Sequence, residues 1–323
     1  MTTCSNVTDN TMVAPAEYSQ TLEESRLLSQ SSMDEPPPSE QSGESDIVGL
    51  CVASLELLVD TKSPMPDILS DPIVAISLAI YKDVCREATP QIHHLLTLLP
   101  KSGLQDEEQD RVLEFPSEIE MLEHVAKLIV EHDVDMLIGY ETIRLSWGYF
   151  MRRLTLLGTT ISMDRMFTPE ADNRNEKEKE KDKGEERITV AAPNGRLLIS
   201  VWKVVRSDLK LRNYDLGSAT AEVLRRKIPM LDNPTLMKRA NIGRSTVRND
   251  VYAHLLKLST INVALLIEMN WFLKNAEMAR VYGFQFHEVW TRGSQLRVES
   301  MLLRLAHRMQ FVAPSITHLQ RNL

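Results

Sequence analysis

Cysteine is scarce in this 323-residue chain, and its placement excludes two kinds of scaffold. Cys4, Cys51 and Cys85 are odd in number and carry no C-x-x-C spacing, so neither a disulfide framework nor a zinc site is signalled. A reducing, intracellular compartment is the expectation. Long apolar runs are lacking too. No stretch reads as the ~18 consecutive apolar residues of a membrane span, and no basic segment leads into an apolar core at the start, so no membrane partner is expected. Positive charge is not in excess. The formal charge is −8, and Met1 to Asp46 carries nine acidic residues against one basic. The remainder, Ile47 to Leu323, balances at 36 against 36. A neutral domain binds nucleic acid weakly through bulk electrostatics, because that affinity comes from counterions released by Lys and Arg. Local patches are what remain, and the segment from Lys274 onward is mildly basic. No Lys/Arg run of the nuclear-localisation type is present either.

Nucleotide and nucleophile signatures are also missing. There is no G-x-x-x-x-G-K-[ST], no G-x-G-x-x-G after a strand and no G-x-S-x-G. Asp106–Asp110 is acidic but lacks the positional Gly and terminal Glu of a calcium loop. His93-His94 reads as part of a helix, where adjacent rings point about 100° apart, and no third ligand is placed near them. The 15 methionines are scattered through apolar stripes and read as core filling.

What is present begins with a segment unlike the rest. Residues 1–45 are rich in Ser, Thr, Glu and Pro, including Glu35-Pro36-Pro37-Pro38, and are expected to be disordered, since they cannot bury enough apolar surface to offset ordering entropy. A second biased run, residues 170–187, alternates Glu and Asp with Lys and Arg. It reads as a solvated insertion, with a charged single helix or a nucleic-acid contact as the other options. Between them the pattern is α/β. Ile47–Leu58 and Asp71–Tyr81 read as buried strands, the second opened by Pro72. Ser117 followed by Glu120 marks a helix start, with Met121, Leu122, Val125, Leu128 and Ile129 on one face. Met136–Tyr140 reads as a short strand and Ser146–Leu157 as a helix ended by Gly158. Gly195–Trp202 reads as a further strand. From Val247 the pattern is helical to Tyr282, with Gly283 as a stop. Strands followed by strand–helix alternation predict a mixed sheet with helices on its faces. No internal repeat is visible.

The most specific wording lies near the C-terminus. Asn275-Ala276-Glu277-Met278-Ala279-Arg280 is followed by Thr291-Arg292-Gly293-Ser294-Gln295-Leu296-Arg297-Val298-Glu299-Ser300, then Met301-Leu302-Leu303-Arg304-Leu305-Ala306. This pattern resembles the junction between the 3′→5′ exonuclease domain and the palm of B-family DNA polymerases, in the wording of the zeta-type, translesion branch. The resemblance extends upstream to about Val48. It implies an RNase H-like exonuclease fold over residues 46–283, and a junction helix over 284–323 leading toward the palm.

In proofreading members of that family, carboxylates hold two divalent metals that stabilise the attacking and leaving oxygens. Carried over onto this sequence, the first motif falls on Ala53-Ser54-Leu55-Glu56: Glu56 keeps one carboxylate and Ser54 stands in place of the other. The second falls on Gly139-Tyr140-Glu141 through Leu145-Ser146, with Ser146 in place of the metal-binding Asp. Counting back from Glu277 for the third lands on Leu258, and no Asp or Glu lies between Val251 and Ile267. Three of the four ligand positions (Ser54, Ser146 and Leu258) are therefore without a carboxylate. The resemblance implies an exonuclease fold with no catalytic residues and no bound metal. On the residues alone, Glu56 reads as a hydrogen-bonded remnant. Gly139 reads as a tight strand exit at positive φ, and Tyr140, Trp147 and Tyr149 as core aromatics. Arg292, Gln295 and Arg297 carry donors suited to phosphate oxygens, and fixing interdomain packing is the other reading of that segment.

The expected function is that of a partial catalytic subunit of a zeta-like translesion DNA polymerase, proofreading-dead and supporting template positioning. A stand-alone, non-catalytic exonuclease-like scaffold is the alternative. D-x-x-S-L-Y-P-S and Y-G-D-T-D, which hold the parent family's Mg2+, and the cysteine clusters that resemble its iron–sulfur site do not occur here. The chain alone is thus expected to need no cofactor and to be inactive as a polymerase. A DNA template–primer and accessory subunits are the partners the resemblance implies, and the nucleus its location.

Overall fold

The computed structural model describes residues 49–312, except for 64, 101–109, 160, 166–192 and 243. The expected N-terminal tail and the insertion at 170–187 lie outside the described residues.

Six strands form one sheet: β1 (Val52–Val59), β2 (Ile73–Tyr81), β3 (Ile92–Thr97), β4 (Val112–Glu114), β5 (Met136–Gly139) and β6 (Leu197–Ser200). Their order is β4-β3-β2-β1-β5-β6. β1 and β2, and β2 and β3, pair antiparallel, whereas β3–β4, β1–β5 and β5–β6 are parallel. The middle strands read as apolar runs because helices cover both faces of the sheet.

Alternation along β1 divides the core. Ala53, Leu55, Leu57 and Val59 face one cluster with α1 (Glu118–Glu131) and α2 (Trp147–Leu156). Val52 and Leu58 face the other side, in clusters that contain residues of α6 (Ser245–Glu268). α1 starts where expected: the Ser117 hydroxyl accepts the Glu120 backbone N–H at 3.3 Å, and Met121, Leu122, Val125, Leu128 and Ile129 are buried. α2 is fixed by Trp147, whose ring N–H donates to the Ile138 carbonyl at 2.9 Å. It is also tied to α1 by Arg153, which grips Glu118 through two bonds of 2.8 and 2.9 Å.

The second face is covered by α3 (Val201–Asp208), α4 (Leu216–Val223), α5 (Asn233–Ala240), α6 and α7 (Trp271–Tyr282). α6 has the length and apolarity of a membrane-crossing helix. Its apolar residues instead meet β1, β2, β3 and the surrounding helices, which is the environment of a core helix.

Four local readings change. His93 and His94 lie on β3, not on a helix, paired with Ala79 and Leu78. On a strand the two rings point to opposite faces of the sheet. The strand expected over Gly195–Trp202 is confined to Leu197–Ser200 and turns directly into α3. Its partner β5 stops at Gly139, and the Tyr140 carbonyl then accepts from both the Ser200 hydroxyl and the Trp202 N–H at 3.1 Å. The long C-terminal helix is broken at Asn270, which takes a left-handed conformation at φ 51° between α6 and α7. Gly139 is not among the residues with positive φ. A Cβ there would strike the Ser146 hydroxyl and come within 2.9 Å of the Ser146 Cβ, so close approach of β5 to the start of α2 requires the glycine.

Candidate exonuclease-like site

Ser54 and Glu56 lie two residues apart on β1 and therefore share the face that α6 covers. Facing them is a residue that the motif count passed over. Asn262 of α6 is fully buried, and its side-chain N–H donates to Glu56 Oε1 at 2.5 Å, with Ser54 Oγ 3.4 Å away. Asn262 Oδ1 is buried with no hydrogen-bond partner among the described residues. Beside this pair, Ser77 of β2 stands opposite Glu56 in the ladder, and its hydroxyl lies 2.8 Å from that of Ser259 on α6. His93 closes the row, with Nε2 3.3 Å from Ser259 Oγ and 3.1 Å from the Leu256 carbonyl.

The electrostatics of this row follow from burial. Glu56 is pushed up to about 7 because desolvation disfavours its carboxylate; the Asn262 amide and the Tyr140 backbone N–H oppose this only in part. His93 is pushed down to about 4, again chiefly by desolvation, with Arg111 and His94 adding to the shift and the bond to the Leu256 carbonyl opposing it. His93 is therefore neutral near pH 7, whereas Glu56 is neutral below about pH 7 and ionised above it.

Ser146 and Leu258, the other two positions carried over from the resemblance, point elsewhere. Ser146 sits just before α2, where its hydroxyl donates to the Leu55 carbonyl at 2.8 Å and leaves the helix N-terminus uncapped by a side chain. Leu258 packs in an apolar cluster with Ile261, Leu265 and Trp271. Asn262, one helical turn beyond Leu258, is the α6 residue that reaches Glu56. The signal for it was a pair of polar residues, Ser259 and Asn262, three apart and flanked by Leu255, Leu258, Ile261, Val263 and Leu265.

A pair of divalent metals needs several anionic oxygens at close to octahedral spacing. The donors here are one carboxylate, hydroxyls and one amide, and the amide N–H already occupies the Glu56 oxygen that a cation would take. Among the described residues no group of three or more His, Cys, Asp or Glu is placed to hold a metal. The residues present do not fit the family's metal pair. Tyr140 and Tyr149 have their hydroxyls bonded to carbonyls, Tyr140 to Tyr214 at 2.7 Å and Tyr149 to Asp71 at 2.6 Å. Together with the buried Trp147 ring they serve the core.

The basic segment near the C-terminus leads through α8 (Glu288–Thr291) into α9 (Ser294–Arg308). Arg292, between them, is exposed. Gln295 donates to Glu299 at 2.8 Å. Arg297 turns inward, donating to the Val289 carbonyl at 3.1 Å with its guanidinium 6.0 Å from the Tyr282 ring centre. Of the two arginines, Arg292 is the exposed one.

Residues 5–219 match the family model described as DNA polymerase family B, exonuclease domain. The chain is similar to the DNA polymerase zeta catalytic subunit of Homo sapiens, 29% identical over 82% of this chain and 8% of that protein. It is also similar to the zeta catalytic subunit of Saccharomyces cerevisiae, 30% identical over 62% of this chain and 13% of that protein. The DNA polymerase delta catalytic subunit of Candida albicans is 24% identical over 79% of this chain and 24% of its own length. The chain thus spans less than a quarter of each of these relatives. With a mixed sheet flanked by helices and this match, the chain belongs to DNA polymerase family B through the exonuclease domain of that family.

Proposed function

We propose that this chain is the exonuclease-like part of a zeta-type translesion polymerase catalytic subunit, and that its exonuclease site is catalytically dead. The observation that carries this reading is Glu56. It is the one carboxylate left at the four vestigial positions, and it is bonded to Asn262 instead of standing open to a cation. A polymerase that extends mismatched or damaged ends gains from losing this activity, because an exonuclease would remove its product. The domain then serves as a wall that helps position the template, with the exposed Arg292 as the first candidate for a phosphate contact. Polymerisation with Mg2+, an iron–sulfur cluster, accessory subunits and work in the nucleus belong to the whole polymerase in this reading.

A free-standing scaffold is the weaker alternative. It would leave Val298, Met301, Leu302 and Leu305 of α9 exposed to water, whereas a larger polymerase offers a surface to cover them. The test is a 3′-end shortening assay on single-stranded DNA with Mg2+ or Mn2+. No shortening is expected. Metal-dependent shortening that disappears in Glu56→Gln would overturn the reading.

A further inference from the structure

Beyond the vestigial site and independent of it, the structure holds a cleft of about 1030 Å3 at the β6 edge of the sheet. Its floor is the consecutive stretch Arg196–Ser200. The Leu197 N–H donates to the Asp135 carbonyl at 2.9 Å. In a parallel ladder this register turns the polar backbone groups of Leu197 and Ile199 toward β5. The N–H and C=O of Leu198 and the N–H of Ser200 then face outward, with no partner among the described residues. Such an edge is a template for another strand.

The walls are positively charged. Lys203 on α3, Lys274 on α7, Arg292 and Arg297 line the cleft, and Asp208 is the only carboxylate among its described lining residues. Lys274 takes Asp208 at 3.0 Å and Arg297 is held by the Val289 carbonyl. Lys203 and Arg292 are exposed and have no carboxylate partner among the described residues. Trp290 adds a half-buried aromatic surface beside them.

We propose that this cleft docks an acidic, extended peptide segment of a partner protein, which adds as a strand to the outer edge of β6. Alternating donors and acceptors on the floor suit a peptide backbone; an outward carbonyl at Leu198 repels a phosphodiester. The five floor residues span about 16 Å, room for a strand of about five residues. Acidic side chains on one side of that strand meet Lys203 and Arg292, and an apolar side chain meets Trp290.

The test uses a fluorescent six-residue peptide of alternating Glu and Val, titrated into the full chain by fluorescence anisotropy. Saturable binding is expected, weakened at least about tenfold in Lys203→Glu/Arg292→Glu, with the folded state of the variant checked by its melting curve. Amide resonances of Leu198 and Ser200 should shift on binding, and a peptide N-methylated along its bonding edge should bind at least about tenfold more weakly. Absence of binding, unmoved Leu198 and Ser200 amides, or equal affinity for the N-methylated peptide would each overturn the proposal. So would oligo-dT displacing the peptide and losing its own binding in Lys203→Glu alone, since that marks a phosphodiester channel along the cleft.

Discussion

Replacing Glu56 by Gln is predicted to stabilise the fold, and to do so only where the carboxyl would ionise. Gln keeps the oxygen that accepts the Asn262 N–H and removes the charge that burial disfavours. The folded-state value of about 7 compares with an ordinary 4.5. A difference of about 2.5 pH units corresponds to about 3 kcal/mol at ~1.4 kcal/mol per unit. The sign follows from proton counting. Between pH 4.5 and about 7 the folded protein holds a proton on Glu56 that the unfolded chain has released. Wild-type stability therefore falls as pH rises through that window and the penalty is complete above it. The neutral acid is also the form that can donate to the partnerless Asn262 Oδ1. Glu56→Gln should then be about 3 kcal/mol more stable than wild type near pH 8, with the difference shrinking toward zero near pH 4.5. Urea unfolding followed by tryptophan fluorescence at both pH values measures it. A variant less stable at pH 8, or a difference that does not change with pH, would rule out a buried, neutral Glu56.

Two further outcomes are expected. His93 is held down to about 4 by burial, so the unfolded chain binds its proton first as pH falls below 6.5. Stability present above pH 6.5 should be lost by up to about 3 kcal/mol toward pH 4. His93→Gln should flatten that acid limb in a series of urea titrations, and identical limbs would contradict this assignment. Arg153→Met leaves Glu118 buried with the Ile73 N–H as its remaining bond, and should cost about 3–5 kcal/mol. Adding Glu118→Leu should recover part of that loss, and simple additivity in a double-mutant cycle would count against the pair.

The parts of this fold that were legible in sequence are those where one local rule acts alone. β1 and β2 are apolar runs of strand length, α1 opens with a capping serine, and α2 closes at Gly158. Illegible parts are set by distant partners. Nothing local to Ile92-His93-His94-Leu95-Leu96-Thr97 says strand; pairing with β2 does. β6 is shortened because β5 ends at Gly139, and Gly139 is needed because Ser146 lies against it. At the site, motif spacing led to Ser54, Glu56 and Ser146, but a linear count cannot say which turn of α6 faces β1. It gave Leu258, while Asn262 one turn later makes the contact. Arg292 and Arg297 were equivalent as sequence, and only the packing of Tyr282 and Val289 separates an inward cation from an outward one.

The most direct test of the dead-site claim is a Mn2+ titration of the chain at pH 7.5, with bound metal counted by electron paramagnetic resonance. A dead site implies no saturable Mn2+ binding that Glu56→Gln abolishes. Two bound Mn2+ per chain, both lost in Glu56→Gln, would contradict it.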